Sequence, residues 1–194
     1  MKKLLITGFE PFGGEEINPS WEAVKLLSDE VGEYCLKKLL IPVVFGDAAD
    51  MVIREADEFC PNVILCIGQA GGRSAITPEA VAINLCYAKI PDNKGNEPKD
   101  EPVVCGGDAA YFATVNLRGM SEAAKAAGIP TEVSYSAGTY VCNDLYYRLL
   151  SRFDKSDTKV GFIHIPYCTD QNKEPSMDIA EIVKGLTILI KNVN

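Results

Sequence analysis

The chain has 194 residues, of which 47% are hydrophobic and 24% are charged, as is ordinary for a globular protein with one substantial core. Its net charge of −8 and its lack of any run of Lys or Arg argue against nucleic-acid binding. No stretch is long enough for a membrane span, and the start at residues 1–6 lacks the apolar core and cleavage site of a signal peptide. We therefore expect a cytoplasmic protein.

Seven cysteines are scattered along the chain without a paired framework and without a C-x-x-C motif, which indicates reduced thiols. The single histidine excludes a His-rich metal site, and the cysteine spacing is wrong for a zinc knuckle. We expect no metal and no other cofactor.

Residues 3–7 form a short apolar run that predicts a buried first strand. The strand ends in a loop, residues 8–14, that holds Phe9 and Phe12 between Pro and Gly residues. Two aromatic rings in such a loop either fill the core or line a pocket, and both interpretations remain open. Asn18 is a good helix cap and Pro19 suits a first helical position, so a helix follows, with a buried stripe that we extend to Val31.

Hydrophobic periodicity then predicts an alternation of strands and helices along the rest of the chain. The predicted strands are 36–44, 63–67, 76–85, a short one from 133, and 159–165, and the predicted helices are 47–59, 121–127, one containing residue 142, and 177–191. Residues 89–107 are polar and turn-rich, which indicates a projecting loop or hairpin, with a lid as one use. The alternation predicts one α/β domain over residues 1–194, with a mostly parallel sheet and helices on both faces.

Three side chains could form a catalytic group at the strand ends. Cys142 lies near the start of a predicted helix, where the helix dipole and unpaired N–H groups favour a thiolate. The lone His164 lies near the carboxyl end of the last strand. Glu79 lies on an apolar strand, where a carboxylate is costly unless it is paired. Each also has a simpler explanation, namely an inert buried thiol, a core histidine and a carboxylate at a wet sheet edge.

Four motifs in order resemble the pyroglutamyl-peptidase I family, also called pyrrolidone-carboxylate peptidase. They are TGFEPFGG with INPSWEAV, GQAGGRSAITPEAVAIN, VSYSAGTYVCN and GFIHIPY, which together cover nearly the whole chain. The resemblance implies a three-layer α/β/α sandwich with a mixed sheet, often assembled as cytoplasmic dimers or tetramers. It also implies a cysteine peptidase that removes N-terminal pyroglutamyl residues from peptides through a thioester.

Carried over by motif, the resemblance implies Cys142 as nucleophile, His164 as base and then acid, and Glu79 as the orienting carboxylate. It places Phe9 and Phe12 in the pocket for the pyrrolidone ring, and Tyr140 at a position where relatives carry an aromatic residue.

Candidate donors to the substrate are the loop N–H groups from Gln69 to Gly72, Gly71 among them, and the N–H of Cys142. The sequence does not choose between them.

The chain departs from the family pattern at two positions. Ala80 follows Glu79 where relatives carry Arg or Lys, and Lys89 stands where Arg is common. Two alternatives therefore stay open, a thiol amidohydrolase acting on another small amide and a ligand-binding relative without activity.

Overall fold

The computed structural model describes residues 1–194, which fold into ten strands and five helices. The strands are β1 (Lys2–Phe9), β2 (Glu30–Val31), β3 (Tyr34–Ile41), β4 (Val63–Gln69), β5 (Thr77–Pro78), β6 (Val81–Ile83), β7 (Ala110–Phe112), β8 (Lys159–Ile165), β9 (Tyr167–Cys168) and β10 (Ser176–Met177). The helices are α1 (Pro19–Leu26), α2 (Asp47–Phe59), α3 (Leu117–Ala126), α4 (Val141–Phe153) and α5 (Ile179–Lys191). None of these helices is both long enough and apolar enough to span a membrane.

Six strands form the main sheet in the order β2-β3-β1-β4-β8-β5. The four central strands β3, β1, β4 and β8 run parallel, and the short edge strands β2 and β5 are antiparallel to their neighbours. The expectation of a mostly parallel, mixed sheet is therefore confirmed. Because β1, β4 and β8 are parallel, their carboxyl ends lie at one edge of the sheet, where open α/β sheets bind ligands.

Helices cover both faces of the sheet, and the alternation of strand side chains explains how. Leu4 and Ile6 of β1 belong to one buried cluster with α1, α3 and α5, whereas Leu5 belongs to a second cluster with α2 and α4. Successive side chains of a strand point to opposite faces, so a continuous apolar run supplies both cores at once. The expected three-layer α/β/α arrangement is confirmed.

The first helix is shorter than its predicted stripe. The Asn18 side chain accepts a hydrogen bond from Ser20 N and starts α1 as expected, but the backbone is already extended at Leu27. Val31 belongs to β2 and pairs with Tyr34 across a tight turn. It is a strand residue that packs in the same buried cluster as α1 and α5, so the assignment of Val31 to the helical stripe is wrong.

The predicted strand at 76–85 is divided in the structure. Thr77 and Pro78 pair with β8, then Glu79 N bonds Phe162 O and Ala80 N bonds Ser134 O. The chain thus changes partners at Glu79 before β6 pairs with β7.

The short strand predicted from residue 133 does not form. Its neighbourhood makes only the isolated bridges Ile76–Thr131 and Glu79–Ser134, and Tyr135 is 76% exposed. The segment that begins at residue 133 therefore has no neighbouring strand long enough to pair with it.

Residues 89–107 contain no helix or strand, but they do not project freely. The Asp92 carboxylate is buried and accepts hydrogen bonds from the backbone N–H groups of Phe45, Lys94 and Asn96. Asn93 Nδ2 donates to Pro11 O at 2.9 Å. The segment is a folded loop that supports the end of β1, and this corrects the expectation of a projecting loop.

Candidate active site

Cys142 lies in the first turn of α4, as the periodicity predicts. Its sulfur faces the sheet at Gly68 of β4, since a Cβ atom built on Gly68 would lie 3.1 Å from Cys142 Sγ and 2.9 Å from the Phe162 ring. The absence of a side chain at Gly68 is therefore what lets the thiol approach the sheet. Gly68 pairs with His164 across β4 and β8, which places the thiol one strand away from the imidazole.

The imidazole of His164 is buried and bonded to a buried carboxylate. His164 Nδ1 lies 2.7 Å from Glu79 Oε1, and the Glu79 side chain is 0% exposed. The other ring nitrogen, Nε2, remains available to exchange a proton with the thiol. The expectation of a solvated carboxylate at the sheet edge is wrong for Glu79.

The backbone of Glu79 is held from two sides. Its N–H bonds Phe162 O of β8 at 2.9 Å, and its carbonyl accepts a hydrogen bond from the buried Tyr146 hydroxyl at 3.0 Å. Tyr146 lies one helical turn after Cys142 on the same face of α4. The sequence analysis missed this link, although the i, i+4 spacing from Cys142 is a signal that could have found it.

The guanidinium of Arg73 is a second functional group that the sequence analysis missed. Arg73 Nη1 lies 2.6 Å from Glu79 Oε1, so one carboxylate oxygen accepts bonds from both Arg73 and His164. The second oxygen, Oε2, is buried and makes no hydrogen bond.

The protonation states follow from burial and these contacts. Burial raises the pKa of the Cys142 thiol to about 12 and lowers the pKa of His164 below its usual 6.5. Burial also acts to raise the pKa of Glu79, but the hydrogen bond and charge of His164 and the bond to Arg73 outweigh it, so this pKa is lowered. The resting site therefore holds a neutral thiol, a neutral imidazole and an ionised carboxylate at neutral pH.

This result corrects the expectation of a thiolate at the helix start. The helix dipole and free N–H groups at the start of α4 favour a thiolate, but desolvation of the partly buried thiol is the larger effect. The thiol also makes no hydrogen bond to the imidazole in the resting structure, in which Nδ1 carries the bond to Glu79.

A small, mostly apolar pocket adjoins the thiol and has a cavity volume of about 40 Å³. Its lining residues are Phe9, Phe12, Asn18, Val43, Gln69, Tyr140, Val141 and Cys142. Four of the five residues predicted to bind the substrate therefore line this pocket, namely Phe9, Phe12, Gln69 and Tyr140. Asn18, Val43 and Val141 were missed, and only the position of Val141 next to Cys142 could have indicated its place.

Gly71 is the exception among the predicted substrate-binding residues. It does not line the pocket, and a Cβ built on it would lie 2.1 Å from the Tyr167 hydroxyl. Gly71 therefore makes room for the Tyr167 ring.

The two positions that depart from the family pattern make no side-chain hydrogen bond to the proposed catalytic residues. Lys89 is exposed and its ammonium makes no hydrogen bond or ion pair. Ala80 is buried, and its backbone N–H and carbonyl bond Ser134 and Ala113. No group of three His, Cys, Asp or Glu side chains could hold a metal ion.

The rings at the pocket mouth support one another. Tyr140 makes an edge contact with Phe45, with ring centroids 5.3 Å apart, and lies 6.3 Å from Phe12. Its hydroxyl donates to Pro91 O at 3.0 Å, so the loop at 89–107 holds Tyr140 in place.

Comparison with known proteins gives consistent results along the whole chain. The family model described as pyroglutamyl peptidase matches residues 2–194. The pyrrolidone-carboxylate peptidase of Staphylococcus haemolyticus is 48% identical, over 99% of this chain and 93% of that protein. The corresponding protein of Bacillus licheniformis is 46% identical, over 96% and 90%.

Solved structures agree with these sequence matches. The crystal structure of pyroglutamyl peptidase I from Bacillus amyloliquefaciens is 44% identical with a TM-score of 0.95, covering 100% of this chain and 97% of that one. Pyrrolidone carboxyl peptidase from Thermococcus litoralis is 36% identical with a TM-score of 0.95, covering 100% and 93%.

Proposed function

Because the chain belongs to the pyroglutamyl peptidase family, we propose that Cys142, His164 and Glu79 are the catalytic residues with which it removes N-terminal pyroglutamyl residues from peptides. The observation that carries this assignment is the buried Glu79–His164 pair, 2.7 Å apart, beside the thiol at the start of α4. Cysteine peptidases need a thiol, a base that takes its proton and a group that orients the base.

Because the Cys142 thiol and the His164 imidazole are both neutral at rest, the proton passes between them as the thiol attacks. His164 Nε2 takes the thiol proton while Sγ bonds to the carbonyl carbon of the pyroglutamyl residue. Glu79 stabilises the imidazolium that forms and holds Nδ1 protonated. His164 then gives the proton to the leaving amine, the C–N bond breaks, and a thioester on Cys142 remains. Water, deprotonated by His164, hydrolyses the thioester and restores the thiol.

The oxyanion of the tetrahedral intermediate needs hydrogen-bond donors near Sγ. The first intrahelical bond of α4 runs from Asp144 N to Tyr140 O, so the N–H of Cys142 has no helical partner. In the loop after β4, Ala70 N and Arg73 N already bond Ile165 O and Ala70 O. Gly71 N and Gly72 N have no backbone partner either, but neither residue lines the pocket, whereas Cys142 does, so we assign the N–H of Cys142 as the donor to the oxyanion.

The pocket suits a small neutral ring. Phe9, Phe12 and Tyr140 provide apolar walls for the methylene groups of the lactam. Gln69 provides a polar group, because its Oε1 accepts a bond from Gln171 Nε2 at 2.9 Å and its own Nε2 remains a donor. We assign this donor to the lactam carbonyl.

The same proposal extends to the whole chain and its surroundings. Residues 1–194 form one cysteine-peptidase domain, in keeping with a family match over residues 2–194. We propose a cytoplasmic dimer or tetramer, as the family resemblance implies. Sedimentation equilibrium of the purified protein tests the oligomeric state.

Release of aminomethylcoumarin from pyroglutamyl-aminomethylcoumarin tests the function directly. We expect turnover of this substrate, no turnover of prolyl-aminomethylcoumarin, and no release of ammonia from free glutamine. Prolyl substrates have a ring of similar size but lack the lactam carbonyl. Ammonia release would favour an amidohydrolase, and pyroglutamate binding without any turnover would favour a ligand-binding relative. Either result would contradict the proposal.

A further inference from the structure

Arg73 connects three segments of the site through one guanidinium. Its Nη1 donates to Thr77 Oγ1 at 2.6 Å and to Glu79 Oε1 at 2.6 Å, and its Nη2 donates to Ser136 O at 3.1 Å. Thr77 Oγ1 itself donates to the carbonyl of His164 at 3.3 Å. A planar guanidinium with several bonds has little freedom to move, so its contact with Glu79 is fixed in direction.

The position of Ser136 matters because it precedes the nucleophile by a few residues. The segment 134–139 makes no regular strand, and it leads directly into α4. The bond from Arg73 to Ser136 O therefore ties this irregular segment to the loop that carries the carboxylate. One side chain thus connects the segment before Cys142 with the segment that carries Glu79.

Charge balance gives Arg73 a second role. Glu79 is 0% exposed, and a neutral imidazole cannot compensate its negative charge. Arg73 is the one cationic side chain other than a protonated histidine that contacts this carboxylate. With the thiol and imidazole neutral, the charges of Arg73 and Glu79 cancel. Loss of the guanidinium would leave an uncompensated buried carboxylate, which is the costly way to break a buried ion pair.

We propose that Arg73 is a positioning residue that holds the Glu79 carboxylate ionised and aimed at His164 Nδ1. This inference rests on the proposed function, because it needs Glu79 to act through His164. Arg73 itself touches neither the thiol nor the pocket, since it is absent from the pocket lining. Its only hydrogen bond to the proposed catalytic residues is the one to Glu79, and its positive charge also acts to lower the pKa values of Cys142 and His164.

The imidazole provides a direct readout of this role. The charged groups that act on His164 are Glu79 and Arg73. The positive charge of Arg73 lowers the pKa of His164, in addition to the larger effect of burial. Removal of that charge should therefore raise the pKa of His164 as long as Glu79 stays ionised. Loss of the charge alone would raise this pKa, and Arg73→Lys, which keeps the charge, separates that effect from loss of the fixed contact with Glu79.

The chain has a single histidine, so a proton NMR titration of its imidazole reports on His164 alone. We propose to record it for the wild type, Arg73→Met and Arg73→Lys, with kcat and KM for pyroglutamyl-aminomethylcoumarin. In Arg73→Met we expect kcat to fall roughly 10- to 100-fold, as for a lost bond to a charged group, with KM little changed. The imidazole should titrate at a higher pH. Arg73→Lys keeps the charge, so its titration should stay near that of the wild type while kcat lies between the two.

Matched controls separate the possible outcomes. Arg118→Met on α3 removes a surface arginine far from Glu79 and should change neither readout. Arg73→Gln keeps a hydrogen-bond donor without the charge, and it replaces Arg73→Met if that variant does not fold. Unchanged kcat and titration in the neutral variants would overturn the proposal, and so would a fall in kcat with an unmoved titration. An inactive wild type would instead refute the proposed function, independently of Arg73.

Discussion

Gly68 lies opposite His164 in the β4–β8 pair, and the Cys142 sulfur packs over Gly68 because no side chain stands in its way. This one position therefore sets how closely the nucleophile can approach its base. A methyl group there would overlap both Sγ and the Phe162 ring, at 3.1 and 2.9 Å.

Gly68→Ala should consequently reduce kcat, because the thiol must shift by a few tenths of an ångström. The loss should be smaller than the roughly 100-fold that a displacement of about 1 Å can cost in a positioned reaction. Overpacking should also lower the free energy of unfolding by about 1–3 kcal/mol. Steady-state kinetics and urea denaturation measure the two effects. Gly71→Ala is the matched control, because its methyl group would meet the Tyr167 side chain and not the thiol. Equal losses of kcat in both variants would contradict a specific role for Gly68.

Glu79→Gln should lower kcat by roughly 10² to 10⁴-fold, as in other sites where an orienting carboxylate becomes an amide. An amide cannot offset the charge of the imidazolium, and it can present an N–H where Nδ1–H needs an acceptor. Glu122→Gln on the exposed face of α3 is the control and should match the wild type. Wild-type kcat in a folded Glu79→Gln protein would leave the carboxylate without a catalytic role.

Phe9, the last residue of β1, and Phe12, in the loop that follows, should respond differently to truncation. Phe9 is 2% exposed and belongs to a core cluster as well as to the pocket. Phe9→Ala should lower the free energy of unfolding by about 3–5 kcal/mol. Phe12 is only half-buried, beside the Tyr140 ring, so Phe12→Ala should mainly raise KM. Urea denaturation measures the stability of both variants, and steady-state kinetics measures their KM. A larger loss of stability for Phe12→Ala than for Phe9→Ala would contradict this assignment.

The depressed pKa of His164 makes stability depend on pH. Burial keeps the pKa of folded His164 below 6.5, whereas the unfolded imidazole is exposed and titrates near its usual value. Below about pH 6.5 the unfolded state therefore binds more protons than the folded state, and the free energy of unfolding falls as the pH falls. Above about pH 6.5 the imidazole is neutral in both states, so the stabilising effect is fully present. Below it, the free energy of unfolding changes by at most about 1.4 kcal/mol per pH unit.

Urea denaturation between about pH 7.5 and 5.5 measures this effect before most carboxylates titrate. His164→Asn removes the only histidine, so its unfolding free energy should be nearly independent of pH over this range. The same pH dependence in the variant as in the wild type would assign the effect to other groups.

Periodicity predicted much of the fold because the long elements bury continuous stripes. The helix at 47–59 and the strand at 159–165 have the predicted bounds, and Val141, Leu145 and Leu149 are buried as the helical spacing indicates. The short segments were harder to predict from periodicity. β2 and the change of partner at Glu79 depend on tertiary hydrogen bonds that leave no periodic pattern.

The catalytic side chains could be proposed from residue types at strand ends, but their environment could not. The acceptors of Arg73 lie at 77, 79 and 136, so only the folded chain brings them to one guanidinium. The thiol pKa was predicted in the wrong direction because position near a helix start does not report burial. Gly71 does not line the pocket, and the close approach of the Tyr167 ring to its backbone leaves no pattern in the sequence.

Steady-state hydrolysis of pyroglutamyl-aminomethylcoumarin by Cys142→Ala tests the assignment of the nucleophile most directly. The exposed Cys105 gives the matched control Cys105→Ala, which should retain wild-type kcat/KM. Cys142→Ala should fold normally and lose kcat/KM by roughly 10⁴-fold or more, as expected when a nucleophile is removed from a catalytic triad. A folded Cys142→Ala protein with kcat/KM within about tenfold of the wild type, a difference of only about 1.4 kcal/mol in barrier height, would contradict the account.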